Sequence, residues 1–358
     1  MKTAVIYLDN NATTAVDPAV IERMLPYFNE KFGNAASSVH PYGWQANEAV
    51  EESRRLIASL IQAQPQEIVF TSGATEANNL AIFGAAQAYA KHGKHIITQA
   101  TEHKSVFDPC QALKKRGYEI TILPVDRVGR VEPQAVADAI REDTILVSIM
   151  AANNEIGTIQ PLAEIGSLCH NRGVIFHTDA AQAAGHIILD VNNQNLDLVS
   201  LSAHKIYGPK GVGVLYIRRR NPRVIILPQM LGGSQEYGKR AGTLNVPGIV
   251  GFGEAIKIIT RNGLKEVNYL RELTQKLCNA ITEELSEVSL NGPPVNERLP
   301  GNLNLAVNGI EADALLLSMR DFAFSTGAAC SSKNLEPSHV LRAIGVSPEH
   351  ARGSIRLG

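Results

Sequence analysis

The chain has 358 residues, of which 44% are hydrophobic and 19% are charged, and its formal net charge is −1. This length predicts two domains, because single hydrophobic cores stop growing at about 250–300 residues. The near-zero charge excludes a general attraction to nucleic acids or anionic membranes. The sequence has no apolar run long enough to span a bilayer and no secretory signal pattern before Asp9, so we expect a cytoplasmic protein.

Between about residues 55 and 220, short apolar runs alternate with stretches of helical periodicity. The predicted strands are residues 68–71, 95–99, 119–123, 145–150, 174–178, 196–201 and 212–218. The predicted helices between them are residues 76–91, 105–116, 134–140 and 161–172. This alternation is typical of a mostly parallel sheet with helices on both faces. Ligands of such sheets bind outside the carboxyl ends of the strands.

The pattern changes in the last third of the chain. A long helical stretch begins near Gly251 and extends to about residue 286. Short predicted strands and helices follow it, with the strands at residues 288–291, 302–307, 322–325 and 354–357 and the helices at 311–320 and 338–344. We therefore predict a large domain over residues 15–250 and a smaller α/β domain formed by residues 1–14 and 251–358.

The first two strand ends carry groups that suit a phosphorylated, flat cofactor. The strand ending at Thr71 leads through small residues into a helix, and the free N–H groups near Ala74 and Thr75 could hold a phosphate. An ordinary helix cap is the alternative. The next strand is followed by His103, which could stack on a ring and exchange protons near neutral pH. A solvated loop histidine is the alternative there.

Two further strand ends carry groups that could bind a substrate or a ring. Asn153 and Asn154 could hydrogen-bond a carboxylate, although asparagines are equally good turn formers. Asp179 follows an apolar strand, and a half-buried carboxylate needs a partner such as a pyridinium N–H. Gln182 lies three residues later and could reach a phenolic oxygen of the same ring. The alternative for Asp179 is a plain helix cap.

Lys205 follows the next strand, close to Ser202 and His204. A lysine in this position can form a Schiff base with an aldehyde, and the two neighbours can bind phosphate. Together with Asp179, Lys205 provides the two protein anchors of pyridoxal 5'-phosphate (PLP), which we predict as the cofactor. Lys210 is the competing lysine, but Lys205 lies closer to the strand end.

The four cysteines are far apart and form no CxxC pair, which argues against a zinc knuckle and a disulfide framework. We therefore predict no metal site. Cys110, Cys169 and Cys278 lie in helical apolar patterns and are predicted to be buried, inert thiols. Cys330 differs, because residues 325–337 are rich in Ser, Gly and Ala and lack an apolar pattern that would favour burial.

The sequence resembles the cysteine desulfurases, which are fold-type I PLP enzymes of the class V aminotransferase superfamily. The resemblance runs from residue 7 to residue 357. Its most specific segments are Thr71-Ser72-Gly73-Ala74-Thr75-Glu76-Ala77-Asn78-Asn79, Ser202-Ala203-His204-Lys205, Arg240-Ala241-Gly242-Thr243 and Ser325-Thr326-Gly327-Ala328-Ala329-Cys330. Several such matches in the same order are hard to obtain by chance. The sequence around Cys330 resembles the longer-loop branch, which is associated with iron–sulfur assembly and thiolation.

The resemblance implies a role for each candidate residue. Lys205 would bind the cofactor covalently, and His103 would stack on its ring and act as acid and base. The remaining implied cofactor contacts are Asp179 for the ring nitrogen, Gln182 for the phenolic oxygen, and Ala74, Thr75, Ser202 and His204 for the phosphate. Thr243 matches a phosphate ligand donated by the other subunit, which implies a homodimer with shared active sites. Asn154 and Arg356 match residues that hold the substrate carboxylate.

Cys330 matches the catalytic cysteine of the family. The implied reaction converts L-cysteine to L-alanine and leaves a persulfide on Cys330, from which sulfur passes to an acceptor such as an iron–sulfur scaffold protein. Family members usually continue past the last matched segment with a further helix, whereas this sequence stops at Gly358. Because chain ends fray, we expect weak order at Arg356.

Other functions compete with this interpretation. A cysteine or cystine C–S lyase that makes pyruvate, or an aminotransferase, is compatible with a PLP site on the same fold and needs no loop thiol. The presence of Lys205 and Cys330 argues against a non-catalytic scaffold. A Rossmann oxidoreductase is a poor fit because no G-x-G-x-x-G follows the early strands.

Overall fold

The computed structural model describes residues 5–326 and 338–358. Within these ranges the helices are α1 (Pro18–Met24), α2 (Pro26–Asn29), α3 (Pro41–Leu60), α4 (Ala74–Ala88), α5 (Lys104–Lys114), α6 (Pro133–Ala139), α7 (Leu162–Arg172), α8 (Val246–Glu284), α9 (Ala312–Ser318), α10 (His339–Ala343) and α11 (Pro348–Arg352). The strands are β1 (Ile6–Tyr7), β2 (Ile68–Thr71), β3 (His95–Gln99), β4 (Glu119–Leu123), β5 (Thr144–Ser148), β6 (Ile175–Asp179), β7 (Leu198–Ser202), β8 (Gly213–Ile217), β9 (Val288–Leu290), β10 (Leu303–Val307), β11 (Phe322–Ala323), β12 (Ser325–Thr326) and β13 (Ser354–Leu357). Cys330 lies outside the described residues.

The central sheet has seven strands in the order β2-β8-β7-β6-β5-β3-β4. Strand β8 is antiparallel to both of its neighbours, and the other neighbouring pairs are parallel. All the other strands of this sheet therefore end at the same edge, and the predicted site residues follow five of them. The prediction of a mostly parallel, seven-stranded α/β sheet is confirmed.

Helices cover both faces of this sheet because its inner strands are apolar on both sides. On one face, Ile57 of α3, Phe176 of β6 and Phe252 of α8 belong to one buried cluster. On the other face, Ile82 of α4 and Ile96 of β3 belong to a second cluster. Each large apolar side chain buried in this way contributes roughly 1.5–3 kcal/mol. This two-sided packing fixes the strand ends that carry the polar residues.

Helix α3 has no counterpart among the predicted elements. Its buried residues recur every three to four positions, as on one face of a helix, although they include small residues such as Ala46 and Ala49 and the charged Arg54. The helix packs along α8 at close range. A Cβ at Gly253 of α8 would lie 2.6 Å from the Ser53 hydroxyl oxygen, so glycine is required for this approach. The buried face of α3 is therefore stabilised by close packing against α8.

The C-terminal part forms a four-stranded antiparallel sheet in the order β12-β13-β10-β9. The single strand predicted at residues 322–325 is wrong, because two short strands occupy this region. Strand β11 pairs in parallel with β1, and β12 pairs with β13. Phe324 lies between them and is buried in a third cluster with Leu303 and Ile355. A smaller C-terminal α/β unit is therefore confirmed.

The predicted domain limits at residues 14 and 250 are not tested by these contacts and stay a prediction. Helix α8 crosses the second limit and contains non-helical backbone at Gly263, with φ 47° and ψ −137°. Among the described residues, no helix is both long and apolar enough to cross a membrane.

Cys110, Cys169 and Cys278 are buried and unpaired, as the sequence predicted. Burial raises the pKa of the Cys110 thiol to about 12. Because the thiolate is the reactive form of cysteine, a thiol with such a pKa is inert near neutral pH.

Candidate active site

A cavity of about 680 Å³ opens at the sheet edge where β2, β3, β5, β6 and β7 end. Its volume is in the range typical of small-ligand and cofactor sites. The predicted site residues that line it are Ala74, Thr75, His103, Asn154, Asp179, Gln182, Ser202, His204, Lys205 and Arg356. Thr243 is exposed and does not line this cavity. The parallel strand ends of the central sheet and strand β13 of the C-terminal sheet thus bring together residues that are far apart in the sequence, from Ala74 to Arg356.

Asp179 lies at the end of β6 and is only 5% exposed. Its Oδ1 accepts a hydrogen bond from the Ala181 N–H at 3.0 Å, and its Oδ2 accepts one from Asn78 Nδ2 at 2.7 Å. Both donors are neutral, and no cationic side chain of the described residues forms an ion pair with Asp179. A buried carboxylate is stabilised by a positive partner. The cavity side of Asp179 therefore fits the protonated ring nitrogen of PLP.

Lys205 ends a short 3₁₀ turn, Ala203–Lys205, that follows β7 directly. Its Nζ donates hydrogen bonds to the carbonyl oxygens of Asn11 at 2.6 Å and Ala12 at 2.8 Å. The N-terminal segment therefore holds the amine at the cavity wall, facing the same space as Asp179. Lys210 also lines the cavity, so the geometry leaves both lysines within the site.

His204 lines the cavity beside Lys205 as a neutral group. Burial, with help from the nearby charges of Lys205 and Lys210, lowers the pKa of His204 to about 4. Its Nδ1 lies 3.1 Å from the Thr13 hydroxyl. At neutral pH this ring therefore serves as a hydrogen-bonding group rather than a charge.

The start of α4 supplies unpaired backbone N–H groups to the same part of the cavity. The capping residue Gly73 has φ +152° and provides no side-chain cap. A Cβ at Gly213 would lie 2.6 Å from the Gly73 Cα, so β8 approaches this turn closely. Glu76 also lines the cavity and forms an ion pair with Arg240 at 2.8 Å. An open helix start lined by Thr75 suits a phosphate group.

Arg356 forms the opposite side of the site. It lies in β13, is paired on both sides by β10 and β12, and is 2% exposed. Its Nη2 contacts Asp9 Oδ1 at 2.7 Å, and its Nη1 lies 3.5 Å from the Asn154 carbonyl oxygen. Its Nε is buried without a hydrogen-bond partner among the described residues. The guanidinium therefore has donor capacity left for a carboxylate.

Sequence reasoning missed two buried carboxyl groups in the cavity wall. Glu102 is fully buried and accepts a hydrogen bond from the Met150 N–H at 2.6 Å, and burial raises its pKa to about 8. Burial raises the pKa of Glu155 to about 7, and Glu155 accepts a hydrogen bond from Ser338. The adjacency of Glu102 to His103 was a usable signal, because residues next to a strand-end site share its surroundings.

Other missed residues contact the site from α10 and α4. His339 lines the cavity, and its Nε2 lies 2.9 Å from the Glu102 carbonyl oxygen. Asn78 contacts Asp179 from the second turn of α4, and Ser105 contacts Asn78. Asn78 was hidden because it stands among apolar residues of a buried helix face.

Comparisons with known proteins identify the family of this chain. The sequence profile of the family described as "Aminotransferase class-V" matches residues 6–358. A relative named "Cysteine desulfurase IscS" from Anaeromyxobacter sp. (strain Fw109-5) is 52% identical over 353 residues, which cover 99% of this chain and 87% of that protein. A relative of the same name from Rickettsia bellii (strain OSU 85-389) is 51% identical over 353 residues, covering 99% of this chain and 86% of its own length.

Solved structures share the whole architecture. A structure described as "NIFS-LIKE PROTEIN" superposes with a TM-score of 0.91 at 37% identity, covering 99% of this chain and 93% of that one. Another, described as "SspA in complex with cysteine", superposes with a TM-score of 0.87 at 35% identity, covering 99% and 98%. The chain therefore belongs to the class V aminotransferase family and, within it, to the PLP-dependent cysteine desulfurases.

Proposed function

We propose that this enzyme converts L-cysteine to L-alanine and places the sulfur on Cys330 as a persulfide, which supplies iron–sulfur cluster assembly or thiolation. The observation that carries the proposal is the single cavity lined by Lys205, Asp179, His103 and Arg356. It combines an amine, a buried carboxylate, an imidazole and a guanidinium at one sheet edge. These are the groups that PLP chemistry on an amino acid requires.

The cofactor would be held at both ends by residues of this cavity. Lys205 Nζ would bind it covalently, Asp179 would accept the ring N–H, and Gln182 would contact the phenolic oxygen. The phosphate would be bound by the start of α4 with Ala74 and Thr75, and by Ser202 and His204. When bound, PLP supplies an electron sink that stabilises negative charge on the substrate Cα.

The substrate would lie between this cofactor site and β13. Arg356 and Asn154 would hold the carboxylate of L-cysteine, which the buried Nε and Nη1 groups of Arg356 favour. Once the amine of Lys205 is released, its Nζ would remove the α-proton, and His103 would act as acid and base. The positions of these side chains around one cavity support these proposed roles.

Sulfur transfer would take place between the substrate and Cys330. The Cys330 thiolate attacks the substrate sulfur, so that an S–S bond forms and the C–S bond breaks. The electron pair of the broken bond stays with Cβ, which takes up a proton and becomes the methyl group of alanine. Two described residues, one on each side of the segment that contains Cys330, support this proposed step. Thr326 of β12 pairs with the strand of Arg356, and Ser338 lines the cavity.

The products of L-cysteine turnover test this proposal. The purified holoenzyme with a thiol reductant should release alanine and sulfide in equal amounts and no pyruvate, because the substrate amine stays on the carbon skeleton. Alanine is measured by amino-acid analysis and pyruvate by a coupled dehydrogenase assay. Pyruvate with ammonia would instead identify a C–S lyase, and a sulfur-containing keto acid would identify an aminotransferase.

We also propose that a second copy of the chain completes each site. Thr243 is exposed and lies outside the cavity of its own chain. The segment from α2 to the start of α3 exposes several large apolar side chains, including Phe28 at 62%, Phe32 at 63% and Trp44 at 56%. An apolar surface of this kind marks an interaction site. A homodimer would cover it and bring Thr243 to the phosphate of the other subunit.

Subunit mixing tests the shared site. The Lys205→Ala and Thr243→Ala variants should each have low activity alone. A hybrid dimer contains one doubly defective site and one intact site, so random exchange should restore roughly a quarter of wild-type activity. Size-exclusion chromatography with light scattering confirms that each variant is a dimer. If Thr243 acts within its own chain, mixing restores no activity.

A further inference from the structure

A buried chain of hydrogen bonds connects Asp179 to His103. Asn78 Nδ2 donates to Asp179 Oδ2 at 2.7 Å and to Ser105 Oγ at 2.8 Å. Ser105 Oγ lies 2.7 Å from His103 Nδ1. Asn78, Asp179 and Ser105 are 0%, 5% and 8% exposed, so water does not compete for these bonds.

The direction of each bond follows from the number of available protons. The Asp179 carboxylate only accepts hydrogen bonds, so the NH₂ group of Asn78 must face it. The two amide hydrogens are then both used, one on Asp179 and one on Ser105 Oγ. Because Ser105 Oγ accepts a hydrogen from Asn78, its own hydrogen is left for its other close neighbour, His103 Nδ1.

A backbone hydrogen bond also requires that Nδ1 of the imidazole accept a hydrogen. The Ser105 N–H also donates to His103 Nδ1, at 3.1 Å, where His103 caps the start of α5. Nδ1 therefore accepts from both the N–H and the O–H of Ser105. A ring nitrogen that accepts hydrogen bonds carries no proton, so the neutral ring has its hydrogen on Nε2.

We propose that Asn78 and Ser105 are positioning residues that hold His103 as the Nε2–H tautomer, so that its ring offers a hydrogen-bond donor to the cavity. This inference rests on the proposed function, in which His103 acts on the reacting groups. It narrows the role of His103, because a ring with Nε2–H stabilises negative charge in the cavity more readily than it accepts a proton there. Asp179 would then fix the protonation of the cofactor ring nitrogen and, through Asn78 and Ser105, the tautomer of His103.

NMR of ¹⁵N-histidine-labelled protein tests the tautomer directly. In wild type, with and without PLP, the His103 Nδ1 signal should have the shift of an unprotonated nitrogen and the Nε2 signal that of a protonated one. The signals are assigned by their loss in a His103→Gln variant. If His103 of the wild-type protein is protonated on Nδ1 and unprotonated on Nε2, the proposal is wrong, and no variant is needed to show it.

Ser105→Ala tests the contribution of the hydroxyl, since it keeps the backbone N–H. We expect the Nδ1 signal to move towards that of a tautomer mixture, and kcat to fall about tenfold with KM for L-cysteine changed less than about twofold. Ser105→Thr restores a hydroxyl and should recover both. Ser167→Ala is the matched control, because this hydroxyl donates to the Ala163 carbonyl on the exposed side of α7.

The outcomes separate this inference from the proposed function. Unchanged His103 signals and unchanged kcat in Ser105→Ala would show that Ser105 has no positioning role. The NMR result does not depend on turnover. If wild type releases no alanine, the proposed function fails while the tautomer assignment stands.

Discussion

Lys205→Ala is expected to lower alanine production from L-cysteine by at least about 1,000-fold, because one amine would serve both as the covalent anchor of PLP and as the base at the substrate α-carbon. The same side chain donates to the Asn11 and Ala12 carbonyls, so the N-terminal segment loses a contact as well. Alanine release measures the catalytic loss. Thermal unfolding of the variant measures the structural one.

Borohydride reduction separates the two lysines of the cavity. In wild type, reduction should fix the cofactor on the peptide that contains Lys205, as detected by mass spectrometry, and the visible absorbance should bleach. Lys210→Ala is the matched control, because Lys210 also lines the cavity. This variant should still fix the cofactor on the Lys205 peptide. Fixation on Lys210 in the wild-type protein would show that the assignment of the anchor lysine is wrong.

The central sheet could be predicted because its strands are short apolar runs separated by helical patterns. Strands β2, β3 and β4 have the predicted bounds, and the other four differ by at most two residues at either end. The site followed from the same pattern, because residues at the carboxyl ends of parallel strands meet at one edge. Asp179 and Lys205 could be paired in advance for this reason alone.

The features that were missed depend on contacts between distant segments. The expected single strand at residues 322–325 is divided into two short strands, because its first part pairs with Ile6 and its last part pairs with Arg356. Neither pairing leaves a local sequence pattern. The bond between Asn78 and Asp179 joins α4 to β6 across 101 positions. The ion pair between Asp9 and Arg356 likewise joins the two ends of the described chain. Patterns of adjacent residues contain no information on such pairs.

The charge of the cavity is not apparent from the net charge of the chain. Burial keeps Glu102 largely protonated at pH 7, because its pKa is raised to about 8, and it raises the pKa of Glu155 to about 7. The amine of Lys205 and the guanidinium of Arg356 are therefore opposed by less negative charge than the sequence suggests. An excess of positive charge at this edge favours a phosphate and an amino-acid carboxylate.

Cys330→Ser is expected to abolish alanine release while leaving PLP bound. A hydroxyl is a far weaker nucleophile than a thiolate at neutral pH, so the C–S bond of the substrate would break at least about 1,000-fold more slowly. Lys205 and Asp179, which are proposed to hold the cofactor, are unchanged in this variant. The visible absorbance of the holoenzyme should therefore persist, and it should still change when L-cysteine is added.

The other cysteines provide the control for this variant. Cys278 is buried in the C-terminal cluster, and burial raises the pKa of its thiol, so Cys278→Ala should retain alanine release. In wild type, a persulfide should be found by mass spectrometry on the Cys330 peptide and on no other cysteine peptide. Because each buried thiol is kept from ionising, a persulfide formed elsewhere would require a thiolate that the described structure does not offer. Normal alanine turnover by Cys330→Ser would therefore place sulfur transfer on a group other than a protein thiol, and the desulfurase mechanism given above would be wrong.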